Sequence, residues 1–181
     1  MKLIKTDLQG VYVIENFNVK DNRGMFTKTY HKDFFEKNDL CTDFKESYFS
    51  ISKKNVIRGM HFQLPPYHHE KLVYVAKGEI TDVILDLRKS SDTYGKSINV
   101  ILSDNNYRSI YIPKGLAHGF KANIDDTITV YNVSTVYNKE SDFGIKFDSF
   151  NFNWEMVGEP ILSDRDISFI SFEEFGSRNP F

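Results

Sequence analysis

The chain is poor in most features that would commit it to a special class. Its one cysteine, Cys41, stands alone among 181 residues, which excludes an internal disulfide. Nothing near Cys41 marks an activated thiol, so it reads as a small filler. No apolar run approaches the roughly 20 residues needed to cross a bilayer. The opening residues, MKLIKTDLQG, lack the apolar segment of a secretory leader. The expectation is a cytoplasmic protein with no membrane partner. Neither sign of charge dominates, with 23 Lys and Arg against 25 Asp and Glu and a net charge of -2. Bulk electrostatics therefore give no argument for nucleic acid. Internal repeats and low-complexity linkers are absent, and the length suits one domain over residues 1–181 with a real core. The end of that domain, about 168–181 and closing with FEEFGSRNPF, reads as a less ordered tail. Helical patterning is scarce, and HKDFFEKNDL, residues 31–40, is the one modest early helix.

Aromatic and strand-forming residues are abundant. There are 16 Phe and 10 Tyr, and 40% of residues are hydrophobic, as in a packed globular protein. KLVYVA, EITDVILDLR, SINVILS and YRSIYIP are short strand-like runs punctuated by Lys77-Gly78 and Asp104-Asn105-Asn106. TITVYNVSTVY reads as a longer strand of β-branched and aromatic residues. Strands at this spacing, with few helices between them, predict an all-β fold, a double-sheet jelly roll with a few short helices.

Ionisable groups gather on this strand framework. Between Asn55 and Arg88 lie His61, His68, His69, Arg58 and Lys71, more than a buried strand carries without use for them. IPKGLAHGF places Pro113, Gly115 and His118 in the spacing P-x-G-x-x-H and resembles the second cupin motif, in which a turn feeds a strand that aims a histidine into the barrel. His118 is otherwise a core histidine satisfied by backbone, and the Pro and Gly a plain turn. The first cupin motif, H-x-H followed by Glu, is missing, because His61 stands apart from His68-His69. Adjacent histidines on a strand point to opposite faces, and LPPYHHE reads as a loop, so no metal site is expected.

VIRGMHFQ, KLVYVAKGEITDVILDLRKSSDTYGK, IPKGLAHGF, VYNVSTVYN and PILSDRD, in this order, resemble the dTDP-4-dehydrorhamnose 3,5-epimerases, the RmlC-like cupins. DNRGMFTKTY resembles that family's N-terminal motif, and the likeness runs from about residue 9 to 167. The resemblance implies a jelly roll without metal or other cofactor. It also implies a homodimer whose sites are completed by the partner's N-terminal segment, and a nucleotide-diphospho-4-keto sugar as substrate.

Such a sugar has acidic C–H bonds at C3 and C5, since each carbanion delocalises into the ketone. Inversion needs a base on one face, an acid on the other, and positive charge near the developing oxyanion. The resemblance assigns the base to His61, its supporting carboxylate to Asp166, with Asp164 a close competitor, and the acid to Tyr131. Strict alternation along TITVYNVSTVY puts Thr129, Tyr131, Val133, Thr135 and Tyr137 on one face. By the same resemblance Lys71 lies near the keto oxygen and His118 supports that oxygen or the sugar hydroxyls. Arg58 and Arg23 bind the diphosphate, Phe26 comes from the partner, and Tyr137 stacks on the base. Asp142 and Arg165 complete the substrate-binding set. Ideal alternation sets Arg58 and His61 on opposite faces, so both reach one cavity only if the strand bulges, and Gly59 is the place for it.

The chain departs from the family's pattern at recognition positions. Lys28 stands where a Glu reads the pyrimidine, Glu46-Ser47-Tyr48 replaces Gln-x-Asn, and His69 replaces Gln. Lys28, Glu46 and Tyr48 thus remain substrate-binding candidates with altered chemistry. A GDP-, CDP- or UDP-linked sugar, and inversion at C3 alone, stay open beside the rhamnose-type substrate. So do a cupin that only binds a sugar nucleotide and a metal-dependent cupin isomerase or oxygenase.

Overall fold

A computed structural model describes residues 1–181 as two facing antiparallel sheets, a projecting hairpin and three short helices. In spatial order, the six-stranded sheet contains β1 (Lys2–Lys5), β2 (Tyr12–Glu15), β10 (Arg108–Ile112), β7 (Lys71–Lys77), β12 (Thr127–Val133) and β5 (Glu46–Ser52). The five-stranded sheet runs β13 (Asp142–Gly144), β6 (Ile57–Gln63), β11 (Leu116–Ala122), β8 (Glu79–Asp86) and β9 (Ser97–Ser103). β3 (Phe17–Asp21) and β4 (Gly24–Lys28) pair only with each other. The helices are α1 (Lys32–Lys37), α2 (Asp164–Ile167) and α3 (Phe172–Arg178). The jelly-roll expectation holds, and no helix is long and apolar enough to cross a membrane.

Several successive strands change sheet, so close neighbours in sequence face each other across the core. β7 lies in one sheet and β8 in the other, with Gly78 alone between them. That corner needs glycine: its φ is +89°, and a Cβ there would sit 2.4 Å from Thr127 Oγ1. The core between the sheets takes Val73, Val75, Ile110, Ile112 and Tyr131 from one side and Ile80, Ile84, Leu102, Leu116 and Phe120 from the other. β8 is also covered on its outer face, where Val83 and Leu85 pack with Trp154 and Phe175. Burial on both faces explains why its sequence reads as a nearly continuous apolar run.

The C-terminal stretch corrects the expectation of a loose tail. Ser171 caps α3 by accepting from the Glu174 amide, Phe175 is buried against Phe62, and Asn179 Nδ2 donates to the Leu87 carbonyl at 2.7 Å. Phe172 and Phe175, one helical turn apart, supply the apolar face that ties this end down. The bounds of one helix and one strand are also adjusted. α1 is shorter than residues 31–40, since His31 caps its start and Asn38 ends it. β12 stops at Val133, where the Ser134 amide turns to the Glu70 carbonyl, so Thr135 and Tyr137 lie beyond the strand. Within the strand the alternation is as expected, with Thr127, Thr129, Tyr131 and Val133 buried.

Candidate active site

A cavity of about 430 Å³ opens between the two sheets. β5 contributes Glu46, Tyr48 and Ser50, every second residue, while the alternate side chains Phe49 and Ile51 face outward and are exposed. Lys71 on β7 and Tyr131 on β12 project from the same sheet. Arg58, His61 and Gln63 on β6 and His118 on β11 face them from the other.

The bulge expected at Gly59 is present. Cross-strand pairing runs His118 to His61 and then Phe120 to Arg58, so three steps on β6 oppose two on β11. Gly59 has φ +141°, and a Cβ on it would lie 2.5 Å from the Gly119 Cα. This close approach of two backbones is what lets Arg58 and His61 line one cavity.

His61 Nε2 lies 2.7 Å from Asp166 Oδ1. Asp166 is held in turn by the Gly59 amide at 3.3 Å and by its own amide donating to Ser163 Oγ, the cap of α2. Asp164, the competing carboxylate, is exposed and makes no contact with His61. Burial pushes the Asp166 carboxyl up, but the His61, Gly59 and Ser163 hydrogen bonds outweigh it and hold the group below the usual range. A carboxylate only accepts, so Nε2 carries the proton and Nδ1 the free lone pair. Burial depresses the His61 pKa below its ordinary value despite the opposing Asp166, and the ring is therefore neutral near pH 7.

His118 forms a second such pair, with Nε2 2.6 Å from Asp82 Oδ2. Both groups are buried, burial pushes Asp82 upward, and its Oδ1 has no partner. Lys71 donates to the His61 carbonyl at 3.2 Å. Burial brings its pKa down to about 8, against the pull of Asp142 and Asp82. The Tyr131 hydroxyl lies 3.4 Å from Ser50 Oγ, its ring stacks on Tyr48 at 4.9 Å, and burial pushes its pKa well above the normal phenol. Arg58 reaches across to Ser52 Oγ and the Ile51 carbonyl, linking the two sheets beside the cavity. At the rim Arg165 pairs with Asp142 at 2.7 Å, and the Tyr137 amide donates to Glu46.

Four sequence candidates lie outside this cavity: Asp166, which meets His61 from an adjoining cleft, and three on a hairpin. Arg23, Phe26 and Lys28 sit on the β3–β4 hairpin, where Arg23 pairs with Asp21 and Phe26 is 59% exposed. Other wall residues were not anticipated. Ser50 follows from the alternation of β5, and Gln63 from the parity of β6. Gln63 braces the rim by accepting from the Asn138 amide and donating to the Tyr67 carbonyl. His69, also on the wall, is kept neutral by burial, its pKa brought down to about 3.

Residues 5–174 match the family model described as dTDP-4-dehydrorhamnose 3,5-epimerase. A protein of that name from Methanothermobacter thermautotrophicus is 43% identical over 91% of this chain and 91% of its own length. One from Shigella flexneri is 40% identical over 93% of this chain and 94% of its own. Among solved structures, the dTDP-6-deoxy-D-glucose-3,5-epimerase of Legionella pneumophila in complex with dTDP-4-keto-L-rhamnose superposes with a TM-score of 0.91. That protein is 33% identical, and the match covers 95% of this chain and 93% of that one.

Proposed function

Because the chain belongs to the dTDP-4-dehydrorhamnose 3,5-epimerase family and is an epimerase of the isomerase class, we propose that it inverts C3 and C5 of dTDP-4-dehydro-6-deoxyglucose through an enolate. The observation that carries the assignment of roles is that His61 and Tyr131 enter one cavity from opposing sheets, with Lys71 also in its wall. A sugar ring lying between the sheets presents one face to each.

His61 Nδ1 takes the proton from the carbon beside the ketone, and Asp166 steadies the resulting imidazolium. The electron pair moves onto the keto oxygen, where the Lys71 ammonium stabilises the enolate, while His118, with Nε2 held by Asp82, offers Nδ1 as an acceptor to a sugar hydroxyl. Tyr131 returns a proton to the opposite face of the carbon, which inverts it. Its raised pKa keeps the phenol protonated until an enolate strong enough to take the proton is beside it. Arg58 and Arg165 offer guanidinium groups to the diphosphate. Tyr137 stacks on the base, while Glu46, Tyr48 and Asp142 contact the substrate at the rim.

Arg23, Phe26 and Lys28 act, in this reading, in the partner's site of a homodimer. The hairpin's exposed Phe17, Val19 and Phe26, together with Phe49 and Ile51 on the outer face of β5, support a surface that another copy covers. Mixing His61→Ala protein with Arg23→Ala protein should then restore activity, since a mixed dimer holds one intact site. A fully active monomer refutes the arrangement. The lone cysteine is compatible with a reducing cytoplasm.

The substrate is tested by offering dTDP-, GDP-, CDP- and UDP-linked 4-keto sugars in deuterated water and following C3 and C5 by NMR. Deuterium and inversion at both carbons of the dTDP sugar are expected. Turnover of another nucleotide in its place would reassign the roles of Lys28, Glu46, Tyr48 and His69, and no turnover of any would sink the proposal.

A further inference from the structure

A polar group at the inner end of the cavity has no part in the proton transfers. The cavity opens beside the edge strand β5 and reaches inward to Lys71 on β7 and His118 on β11. His69 lies two residues ahead of Lys71, on the same side of the chain, and lines the same wall. His68 turns the other way, its ring 6.2 Å from that of Phe181. In the proposed mode of binding His69 thus meets the sugar, while the base stacks on Tyr137 at the rim.

The contacts around the His69 ring fix where its proton sits. Nδ1 lies 3.1 Å from Thr135 Oγ1. That hydroxyl is 2.8 Å from the Tyr67 carbonyl, which only accepts, so its one hydrogen goes there. The Gln63 amide is oriented by the Asn138 amide, which donates to Oε1 at 2.7 Å. Gln63 Nε2 then directs its hydrogens to the Tyr67 carbonyl at 2.9 Å and Thr135 Oγ1 at 3.2 Å, both nearer than His69 Nδ1 at 3.3 Å. Nδ1 therefore carries the His69 proton and donates it to Thr135. Nε2 keeps the lone pair and has no partner in the protein. Burial, with the charges of Lys71, His68, His118 and Lys114 adding to it, brings the pKa of the ring down to about 3, so that lone pair stays free near neutrality.

We propose that His69 is a specificity-determining residue of the sugar site, its Nε2 accepting a hydrogen bond from one of the sugar's hydroxyls. A 4-keto-6-deoxyhexose linked through C1 carries two hydroxyls, at C2 and C3. The inner end of the cavity offers two imidazole acceptors, His118 Nδ1 and His69 Nε2, beside the Lys71 donor for the ketone. A glutamine at position 69, as in the family's pattern, turns its amide to give either a donor or an acceptor. An imidazole tied to Thr135 gives the acceptor alone, so it holds a hydroxyl and gains nothing from a group without a hydrogen to donate.

The inference rests on the epimerase reading above, and one experiment tells their failures apart. Native protein, His69→Phe and His69→Gln are given dTDP-4-dehydro-6-deoxyglucose and its 2-deoxy and 3-deoxy analogues. Inversion at C5, the centre all three sugars keep, is followed by NMR, and binding of dTDP alone by calorimetry. His69→Phe keeps a ring but has no lone pair. Relative to native protein it should lose about tenfold in kcat/KM on the full sugar and on one analogue, the effect of removing one neutral hydrogen bond. On the other analogue, which lacks the hydroxyl that His69 holds, the loss should be less than about twofold. Its affinity for dTDP should be native. His69→Gln, the residue of the family's pattern, should show the same selectivity at about threefold, since its amide is free to turn. The proposal is overturned if either variant loses equally on all three sugars, or if neither loses on the full sugar. Equal losses with native turnover intact take down this inference alone. Absence of any inversion by native protein takes down the epimerase reading and this inference with it.

Discussion

Two histidine–aspartate pairs stand beside each other in this site, and their surroundings differ in ways that suit the two roles proposed for them. His61 and His118 are cross-strand partners on β6 and β11, and each gives Nε2 to a carboxylate at hydrogen-bonding distance. The carboxylate of the first pair is tied down by a backbone amide and a helix cap, its pKa is depressed, and the imidazole side chain is 29% exposed. That of the second is fully buried with one oxygen unpartnered, its pKa is raised, and its imidazole is only 4% exposed. A base must change charge at every turnover, which requires an anion that stays an anion and a path for the proton. A fixed hydrogen-bonding contact needs neither. In the proposed mechanism the same two residue types therefore give a proton carrier where solvent reaches them and a rigid contact where it does not.

Breaking the first pair should cost most. His61→Asn is expected to lower both inversion and deuterium uptake by roughly a thousandfold or more, the loss of a general base. An equal loss in a His118→Asn protein, measured by NMR under the same conditions, would reverse the assignment. Tyr131→Phe comes next, with inverted product reduced by about a hundredfold while deuterium still enters with retention, since the enolate forms but lacks its acid. Native inversion in that variant would remove tyrosine from the mechanism.

Asp166→Asn should fall short of either, at about tenfold to a hundredfold in kcat, because the residue steadies the base without holding the proton. Its signature is in the pH profile. The acid limb of kcat/KM, which in the proposed mechanism reports His61 taking a proton as pH falls, should lie below the usual imidazole value and move lower still once the supporting carboxylate is gone. A limb that stays put would mean that Asp166 only shapes the fold.

Whether a profile of this kind was foreseeable shows how far the sequence reaches. Strand positions were legible because alternation survives wherever one face is buried, as from Thr127 to Val133. The bulge at Gly59 was legible because two needed side chains stood an odd number of residues apart. The choice between Asp164 and Asp166 was open, since it depends on a one-turn helix capped by Ser163. The C-terminal helix escaped notice because only two aromatics a turn apart mark it and their partners lie far back in the chain. Asp82 was missed as well: inside an apolar run a lone carboxylate looks like a surface strand position until His118 is seen beside it.

The alkaline side sharpens the contrast in another way. Lys71 is positive near pH 7 and loses its charge as pH rises through about 8, so kcat/KM should fall about tenfold per unit well above that point. Tyr131 stays protonated throughout that range, so Tyr131→Phe should retain the same limb and Lys71→Gln should lose it. The smallest effect is expected at the second pair. Asp82→Asn keeps a hydrogen bond to His118 and should change kcat/KM by about fivefold, with the acid limb unmoved, as when a charged bond becomes a neutral one. An acid limb displaced by Asp82→Asn would show that the two pairs titrate together.

The His61–Asp166 bond joins residues 105 positions apart in the chain. A ribosome making this protein from its N-terminus delivers the imidazole early, ahead of β7 to β13, and its carboxylate almost last. Until α2 has emerged, the growing chain carries the parts of a binding cavity around a histidine that lacks its anchor. In the proposed mechanism catalytic competence thus arrives in one late step, and a message truncated shortly before the codon for Asp166 would yield a chain that lacks both the partner of its base and the Phe175 cover of β8.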